Sequence, residues 1–341
     1  MHIGLTYNLK TDVEIKPDDP IDRAEEFDSE ETIDAIDLAL QSLGHTTVRL
    51  GWGAKMLATL AGITRDAPSG VDAVFNIAEG VGGRGRESQV PAILEMLGIR
   101  HTGSDPFTLA VALDKGLAKL LASSHGIPTA PFHLFSAADE ASPVELNFPL
   151  FAKPAAEGSS MGIRDDSICR DQDELIRRVR QLQKDYRGSV LVEEFLPGHE
   201  FTTGVVGNGD QARVVGTMQV VPKVKTDQPF IYSLEVKRDY LRRVDYRMTD
   251  DIKRRTSPQL VESIEKLALE VHRAFGCRDV SRVDVRCDAN GKPNFVEVNP
   301  LPGLNPTNSD LVIIAKGHGL SYEQLIESIL AAANSRWQNG T

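Results

Sequence analysis

Residues 281–300, SRVDVRCDANGKPNFVEVNP, hold the clearest pattern in the chain. Polar and apolar residues alternate on both sides of Asn290-Gly291, which predicts two antiparallel strands joined by a tight turn at these two residues. Side chains two apart on a strand share a face, so four polar residues are predicted to point together: Arg282, Asp284, Glu297 and Asn299. The valines between them are then predicted to face the core: Val283, Val285, Val296 and Val298.

This polar face has the composition of a magnesium site. Two carboxylates and an amide oxygen beside an arginine suit a hard divalent cation, which takes oxygen ligands and bridges phosphates. The alternative is a solvated strand face with ordinary ion pairs. The turn Pro300-Leu301-Pro302-Gly303 favours the metal site, because it places free backbone N–H groups beside the carboxylates, as an oxyanion site requires.

A lysine in an apolar strand and the loop after it predict a phosphate site. Lys153 lies in FPLFAKPA, where an unpaired ammonium costs several kcal/mol, so it needs an anion. The loop EGSSMG at residues 157–162 offers N–H and hydroxyl groups that can wrap phosphate oxygens. An ordinary hairpin connection explains the loop equally well. The sequence has no GxxxxGK motif.

The stretch VEEFLPGHE at residues 192–200 is an apolar strand that breaks at Pro197-Gly198. Such a break can present backbone N–H and C=O groups to the edge of an adenine ring, with Glu200 reaching the ribose. Taken alone, a plain strand end is the better interpretation.

The order of patterns predicts an α/β (α+β) protein of three domains. Residues 1–103 alternate strands and helices, including a helix over 29–43 with a capping box from Asp28 and Glu31, and predict a parallel layer. Residues 104–196 predict a small α+β domain. Residues 197–341 contain the hairpin, a helix over 258–275 and a polar segment at 223–248. That segment is too long and charged for a turn and is predicted to be a lid.

Composition argues against several classes of protein. The chain has 341 residues, of which 41% are hydrophobic and 26% charged, as in globular proteins. A net charge of −11 argues against nucleic acid or an anionic membrane as partner, since both need a basic excess. No apolar run reaches the ~20 residues of a membrane span, so the cytoplasm is the expected location. Three distant cysteines and scattered histidines predict reduced thiols and no zinc site.

Gly80, Gly82 and Gly85 spell GxGxxG after the strand pattern VDAVFNIA. The spacing is that of a dinucleotide fingerprint. The position after a later strand and the crowding by Arg84 and Arg86 favour a glycine-rich substrate loop instead.

Taken in order, these stretches resemble the D-alanyl-D-alanine ligase family of ATP-grasp enzymes. The similar run extends from about residue 74 to the C-terminus. It comprises MLGIRHTGSDP followed by Asp114-Lys115, then FAKPAAEGSSMG, VEEFLPGHEFT, SRVDV and FVEVNPLPG. The resemblance implies an ATP-grasp fold with ATP bound between the central and C-terminal domains. It also implies a cytoplasmic homodimer that acts on small amino acids in peptidoglycan biosynthesis.

The family's pattern implies roles for individual residues. The nucleotide would be held by Lys115, Lys153, Ser159, Ser160, Glu193, Glu194, Phe195, Leu196 and Glu200. Two magnesium ions, or manganese, would be held by Asp284, Glu297 and Asn299. Catalysis would involve Arg282, the N–H of Gly303, Ser160 in the phosphate-covering loop and the lid residue Lys237. The family's reaction is attack of a carboxylate on the γ-phosphate, then attack of a second amino acid's amine on the acyl-phosphate.

Departures from the family fall where substrates are chosen. Arg238 follows the lid lysine where the family has tyrosine, and its predicted partner is Glu79 or an acid of the first loop, with an acidic substrate as the alternative. The family's residue for the first substrate's ammonium is missing, and Glu25, Glu26 and Asp28 are unassigned candidates. The prediction is a D-alanine–D-alanine ligase-like enzyme. The alternatives are a dipeptide or tailoring ligase with another acyl donor and a non-catalytic ATP-binding protein.

Overall fold

The computed structural model describes residues 1–12, 14, 19–61, 70–224 and 229–339. Parts of the predicted first loop (13 and 15–18) and of the predicted lid (225–228) lie outside the described residues. The N-terminal elements are β1 (His2–Thr6), α1 (Glu30–Ser42), β2 (Thr46–Gly51), α2 (Gly53–Ala61), β3 (Ala73–Asn76) and α3 (Gln89–Met96). The strands form a parallel sheet in the order β2-β1-β3, as the alternating pattern predicted.

The start of α1 differs from the prediction. Asp28 does not cap it, because its backbone is paired with the first loop: its N–H donates to the Asn8 carbonyl and its carbonyl accepts from Lys10. Ser29 is the N-cap, and its side chain makes no capping hydrogen bond. The capping box predicted from Asp28 and Glu31 was therefore wrong.

The central elements are α4 (Pro106–Leu113), α5 (Lys115–Ser124), β4 (Phe132–Phe135), β5 (Leu150–Pro154), β6 (Ile168–Cys169), α6 (Gln172–Tyr186) and β7 (Val190–Glu194). Their strands form an antiparallel sheet in the order β4-β7-β5-β6. The Asp114 side chain caps α5 by accepting from the Leu117 N–H, so Lys115 is the first residue of that helix.

The C-terminal elements run from β8 (Glu200–Val206), β9 (Arg213–Pro222), α7 (Leu234–Arg238), α8 (Tyr240–Arg243), β10 (Val244–Met248) and α9 (Thr249–Arg255) to α10 (Pro258–Ala274), β11 (Val280–Cys287), β12 (Pro293–Asn299), α11 (Asp310–Gly317) and α12 (Tyr322–Gln338). The strands form an antiparallel sheet in the order β10-β9-β8-β11-β12. Each sheet lies within one predicted domain, whereas the domain boundaries themselves stay a prediction. Among the described residues, no helix is both long and apolar enough to cross a bilayer.

The hairpin β11-β12 is present, but two details differ from the prediction. Its connection spans residues 288–292, where Asp288 donates to the Lys292 carbonyl, so Asn290-Gly291 is not a two-residue turn. A β-bulge follows Asp284, which lies opposite Glu297, whereas Val285 lies opposite Phe295. Val296 is therefore the extra residue of the bulge and is only half-buried, and Phe295 takes the core position.

A buried ion pair ties the C-terminal helix to the rest of the chain. Asp279 is fully buried and accepts from Arg336 on α12 at 2.9 Å, from Asn208 at 3.0 Å and from the Gly103 N–H at 2.9 Å. Arg336 also donates to the His101 carbonyl at 2.9 Å. This cluster fixes the segment before α4 against the five-stranded sheet.

Replacing Arg336 by methionine should destabilise the protein by about 3 kcal/mol, because it leaves the Asp279 carboxylate buried without its counter-ion. Urea unfolding measures the change. Arg254→Met is the control, since the Arg254 side chain is 71% exposed and its loss should change stability by about 0.5 kcal/mol or less. Equal stability of the two variants would contradict the role of the cluster.

Candidate active site

Two cavities adjoin each other: the small one lies between the four-stranded and the five-stranded sheet, and the large one lies between the N-terminal part of the chain and the end of the hairpin β11-β12. The large cavity has a volume of about 480 Å³ and the small cavity about 90 Å³. Four residues line both: Tyr232, Lys237, Glu297 and Asp310. Every predicted site residue lines at least one of them. The large cavity contains Lys115, Ser159, Arg282, Asn299 and Gly303, and the small cavity contains Lys153, Ser160, Glu193, Glu194, Phe195, Leu196, Glu200 and Asp284.

Lys153 has the anion that its burial requires. Its Nζ lies 2.7 Å from Oε1 of Glu193, which is diagonal to it on the neighbouring strand β7, and Lys119 Nζ lies 2.7 Å from the other oxygen. Burial favours the neutral acid, but the Lys119 and Lys153 ammonium groups outweigh it and lower the pKa of Glu193 to about 2. Glu193 is therefore a fixed anion between two cations. Its carboxylate faces the lysines, so its predicted contact with adenine stays a prediction.

Lys119 was missed by the sequence analysis. It is fully buried and also donates to Thr129 Oγ1 at 2.5 Å. Its position four residues after Lys115, on the same face of an apolar helix, was the available pattern. An ammonium on such a face needs an anion for the same reason as Lys153 does.

The polar face of the hairpin forms as predicted. Arg282 donates to both oxygens of Asp284, with its Nη2 at 2.9 Å and its Nε at 3.2 Å. Lys115 Nζ lies 3.4 Å from Glu297 Oε2 and donates to the Glu157 carbonyl at 2.6 Å. Burial opposes ionisation of Glu297, yet the cations of Lys115, Lys153 and Arg282 hold its pKa well below its usual range. Burial raises the pKa of Asp284 despite Arg282.

These residues fit a magnesium ion that shares its coordination with phosphates. Asp284, Glu297 and Asn299 lie on paired strands, and the Asn299 amide donates to Asp284 at 3.3 Å. The part of the chain that the structure describes contains no group of three or more His, Cys, Asp or Glu placed to hold a metal by itself. Two carboxylates and an amide oxygen therefore leave coordination positions for ligand oxygens, as is usual for magnesium.

A second arginine, Arg286, closes the end of the small cavity and was also missed. Its guanidinium lies 4.8 Å from the Phe195 ring and donates to the Leu196 carbonyl at 2.6 Å and to Glu200 at 2.9 Å. It lies two residues after Asp284, so the same alternation would have found it. Glu194, the other acid of this strand end, turns its carboxylate to Asn147.

The predicted lid covers both cavities in this structure. The Tyr232 carbonyl accepts from Ser160 Oγ at 3.3 Å, and its hydroxyl bonds Tyr246 at 2.5 Å and Asp310 at 3.2 Å. Lys237 Nζ lies 4.9 Å from the centre of the Tyr232 ring. The movement predicted for the lid stays a prediction.

The predicted ion pair of Arg238 with the first loop is confirmed. Its partner is Glu25, which also lies 3.7 Å from Lys10. Glu79, the other partner considered, makes no hydrogen bond or ion pair with Arg238, although both line the large cavity. The lid is therefore joined to the first loop by a charged contact.

The glycine-rich segment folds back on itself. The Gly80 N–H donates to Asn8 Oδ1 at 2.9 Å, and a Cβ at Gly80, whose φ is +68°, would lie 2.1 Å from the Arg86 carbonyl oxygen. Gly80 is thus required by packing, and its N–H is not available to a phosphate. The dinucleotide interpretation has no support in this geometry. Residues of this segment, Glu79 and Glu87, line the large cavity.

A family profile, curated proteins and solved structures are similar to this chain, and most of them are described as D-alanine–D-alanine ligases. A family profile described as "D-ala D-ala ligase C-terminus" matches residues 121–331. The D-alanine–D-alanine ligase of Cupriavidus taiwanensis is 32% identical over 292 residues, which cover 82% of this chain and 83% of that protein. An uncharacterized protein of Sinorhizobium fredii, y4sG, is 32% identical over 312 residues, covering 89% of this chain and 88% of that one. The crystal structure of D-alanine–D-alanine ligase from Bacillus anthracis complexed with ATP superposes with a TM-score of 0.73 over 100% of both chains at 21% identity, which shows a shared fold.

Replacing Lys119 by methionine should destabilise the protein by about 3 kcal/mol, because Glu193 loses one of its two buried counter-ions. It should also weaken ATP binding roughly tenfold. Lys119, Lys153 and Glu193 together carry one excess positive charge next to the small cavity, and the substitution removes it. Urea unfolding and calorimetric titration with ATP measure the two effects. Lys266→Met, at a side chain 78% exposed, is the control. If the Lys119→Met protein matched this control in both stability and ATP affinity, Lys119 would not be a necessary counter-ion of Glu193.

Proposed function

The chain belongs to the family of D-alanine–D-alanine ligases, and from that premise we propose that it joins two small amino acids through an acyl-phosphate intermediate. It is an ATP-dependent ligase of the ATP-grasp type. The observation that carries the proposal is the position of Glu297 at the border of the two cavities, with Lys115 and Arg282 beside it. D-alanine is the first substrate to test. A homodimer in the cytoplasm is part of the proposal on family resemblance alone.

The small cavity suits the nucleotide. Phe195 and Leu196 would border adenine, and Glu200 would meet the ribose after releasing Arg286. Lys153 and the Ser160 hydroxyl lie in the same wall, where phosphate oxygens can accept from both. Lys115 and Ser159 continue this cationic wall into the large cavity, and Lys237 of the lid faces both cavities.

Asp284, Glu297 and Asn299 would hold the metal. When bound, magnesium would supply positive charge that neutralises the phosphates. Burial lowers the pKa of Arg282, but the carboxylates of Asp284, Asp310 and Glu297 raise it by more, so Arg282 stays a cation in the wall of the large cavity.

The large cavity suits the acyl donor and the acceptor amine. The donor carboxylate attacks the γ-phosphorus and ADP leaves. The acceptor amine then attacks the carbonyl carbon, gives up a proton, and phosphate leaves. Arg282 and the N–H of Gly303 would stabilise the tetrahedral oxyanion between these steps. The lid held by Tyr232 would exclude water, which otherwise hydrolyses the acyl-phosphate.

A related ligase with another acyl donor is the second candidate, and the observation that favours it is the position of Arg238 in the wall of the large cavity, where the family has tyrosine. Phosphate release measured with ATP against a panel of D- and L-amino acids separates the candidates. A protein that binds ATP without turnover would release no phosphate with any pair.

Replacing Glu297 by glutamine should lower kcat about a hundredfold or more while leaving the fold intact, because the carboxylate supplies charge and not packing. Initial rates of phosphate release across a magnesium series measure the effect, with circular dichroism as the check on folding. Glu262→Gln, at an exposed carboxylate of α10, is the control. A Glu297→Gln enzyme with wild-type turnover would exclude the metal assignment.

Replacing Arg238 by tyrosine should speed hydrogen exchange in residues 229–238 and change the rate, but leave the ranking of substrates as it was. The reason is that Arg238 already has a protein partner, Glu25, and so is not held for a substrate carboxylate. Arg242→Tyr, at a side chain 88% exposed, is the control. The measurement is the ratio of kcat/KM for D-alanine to that for D-aspartate. A shifted ratio would mean that Arg238 contacts an acidic substrate.

A further inference from the structure

One end of the large cavity carries carboxylates without counter-ions. Glu87, 9% exposed, and Glu79, half-buried, both line this cavity, and neither makes a hydrogen bond or ion pair with any residue that the structure describes. Asp28 lies beside them in the same wall. These three residues are called the acidic pocket below. A carboxylate buried without a partner is costly, so an unpartnered one that faces a cavity indicates a missing cation.

The neighbouring cations do not fill this role. Arg86, whose side chain is 5% exposed, directs its Nε to Glu26 at 3.0 Å and its Nη1 to the Ala156 carbonyl at 2.8 Å. Arg238 and Lys10 are taken by Glu25. Two of the three acids considered from the sequence, Glu25 and Glu26, are thus already neutralised, and negative charge is in excess in the acidic pocket.

The ionisation of the pocket agrees with this geometry. Burial raises the pKa of Glu87 to about 7 against the opposing effect of Arg86. Burial, followed by Glu87 and Glu26, raises the pKa of Glu79 well above its usual range. Glu87 is therefore partly protonated near neutral pH, and a bound cation would displace its proton.

We propose that Glu79 and Glu87 bind the α-ammonium group of the acyl donor. This inference rests on the proposed function and identifies the donor as an α-amino acid rather than its 2-hydroxy analogue. The large cavity contains both the acidic pocket and the cations that receive the donor carboxylate. Glu87 feels the charges of Lys115 and Glu297, which places it beside the reacting end of the donor. An α-amino acid carries its ammonium one carbon from its carboxylate and matches this neighbouring pair of opposite charges.

The test compares Glu87→Gln, Glu79→Gln and the double variant with wild type, using D-alanine and D-lactate as donor probes. Calorimetric titration in the presence of a non-hydrolysable ATP analogue and magnesium gives donor affinity without turnover. Each single variant should weaken D-alanine binding roughly tenfold or more, as expected for loss of a hydrogen bond to a charged group, and leave D-lactate binding within about twofold. Glu30→Gln, at an exposed residue at the start of α1, is the control.

The pH dependence supplies a readout that a merely structural role would not move. The charged groups facing Glu79 and Glu87 are Glu26, Asp28, Arg86, Lys115 and Glu297. Because the pKa of Glu87 is raised to about 7, D-alanine affinity should rise between about pH 6 and pH 8 in wild type. The rise should be absent in the double variant and absent for D-lactate in both proteins.

The outcomes separate this inference from the proposed function. Equal weakening of D-alanine and D-lactate, or no weakening of either, would overturn the ammonium site whatever the turnover. Selective weakening of D-alanine supports it. Absence of ATP-dependent amide formation by wild type with every amino acid pair would instead overturn the proposed function, while the titrations would still report whether the pocket prefers an ammonium.

Discussion

Buried ammonium groups require anions, and this requirement organises the cleft between the two antiparallel sheets. Glu193 lies between Lys119 and Lys153 at 2.7 Å from each, so the trio keeps one positive charge in excess. Lys119 is fully buried and Lys153 lines the small cavity, so the excess charge is presented there. A single lysine paired with Glu193 would be neutral and would attract a phosphate less. Lys119 thus acts through Glu193 to keep Lys153 an effective cation.

Local periodicity explains which parts could be predicted from the sequence. The alternation in β11 and β12 identified Arg282, Asp284, Glu297 and Asn299, because side-chain direction in a strand depends only on the strand itself. Val296 was misplaced because a β-bulge arises from the pairing of two strands, and neither strand alone records it. Lys119 and Arg286 were within reach of the same periodic argument. They were missed because each continues a face on which the first charged residue had already been assigned.

In the N-terminal part of the chain, contacts between residues distant in sequence decided features that the local pattern could not predict. Asp28 has the sequence position of a helix cap, but backbone pairing with Asn8 and Lys10 draws it into the first loop. Glu79 and Glu87 lie within a run whose glycines gave the stronger pattern. Gly80 is explained by the close approach of the Arg86 carbonyl, and what remains of the run is a pair of acids. Whether an acid is neutralised depends on residues distant in sequence, as Arg86 and Glu26 show, so sequence alone could not separate the free acids from the paired ones.

Two adjacent residues of the first loop, Glu25 and Glu26, contact the lid and the wall of the large cavity near Glu87. Glu25 holds Arg238 of the lid, and Glu26 holds Arg86, the residue before Glu87. The ion pair of Arg238 with Glu25 is partly exposed, and such pairs contribute about 1 kcal/mol or less to stability. Tyr232, in contrast, is only 8% exposed, and its hydroxyl is hydrogen-bonded to Asp310 and Tyr246. The buried hydrogen bonds of Tyr232 are therefore expected to hold the lid more firmly than the Arg238 pair, which adds a small, salt-sensitive contribution. Because Glu25 and Glu26 are consecutive, a shift of the first loop that loosened the lid would also move Arg86 and change the charge balance around Glu87. If Glu79 and Glu87 bind the donor's ammonium as proposed, the position of the lid and the binding of the donor would be coupled through two consecutive glutamates.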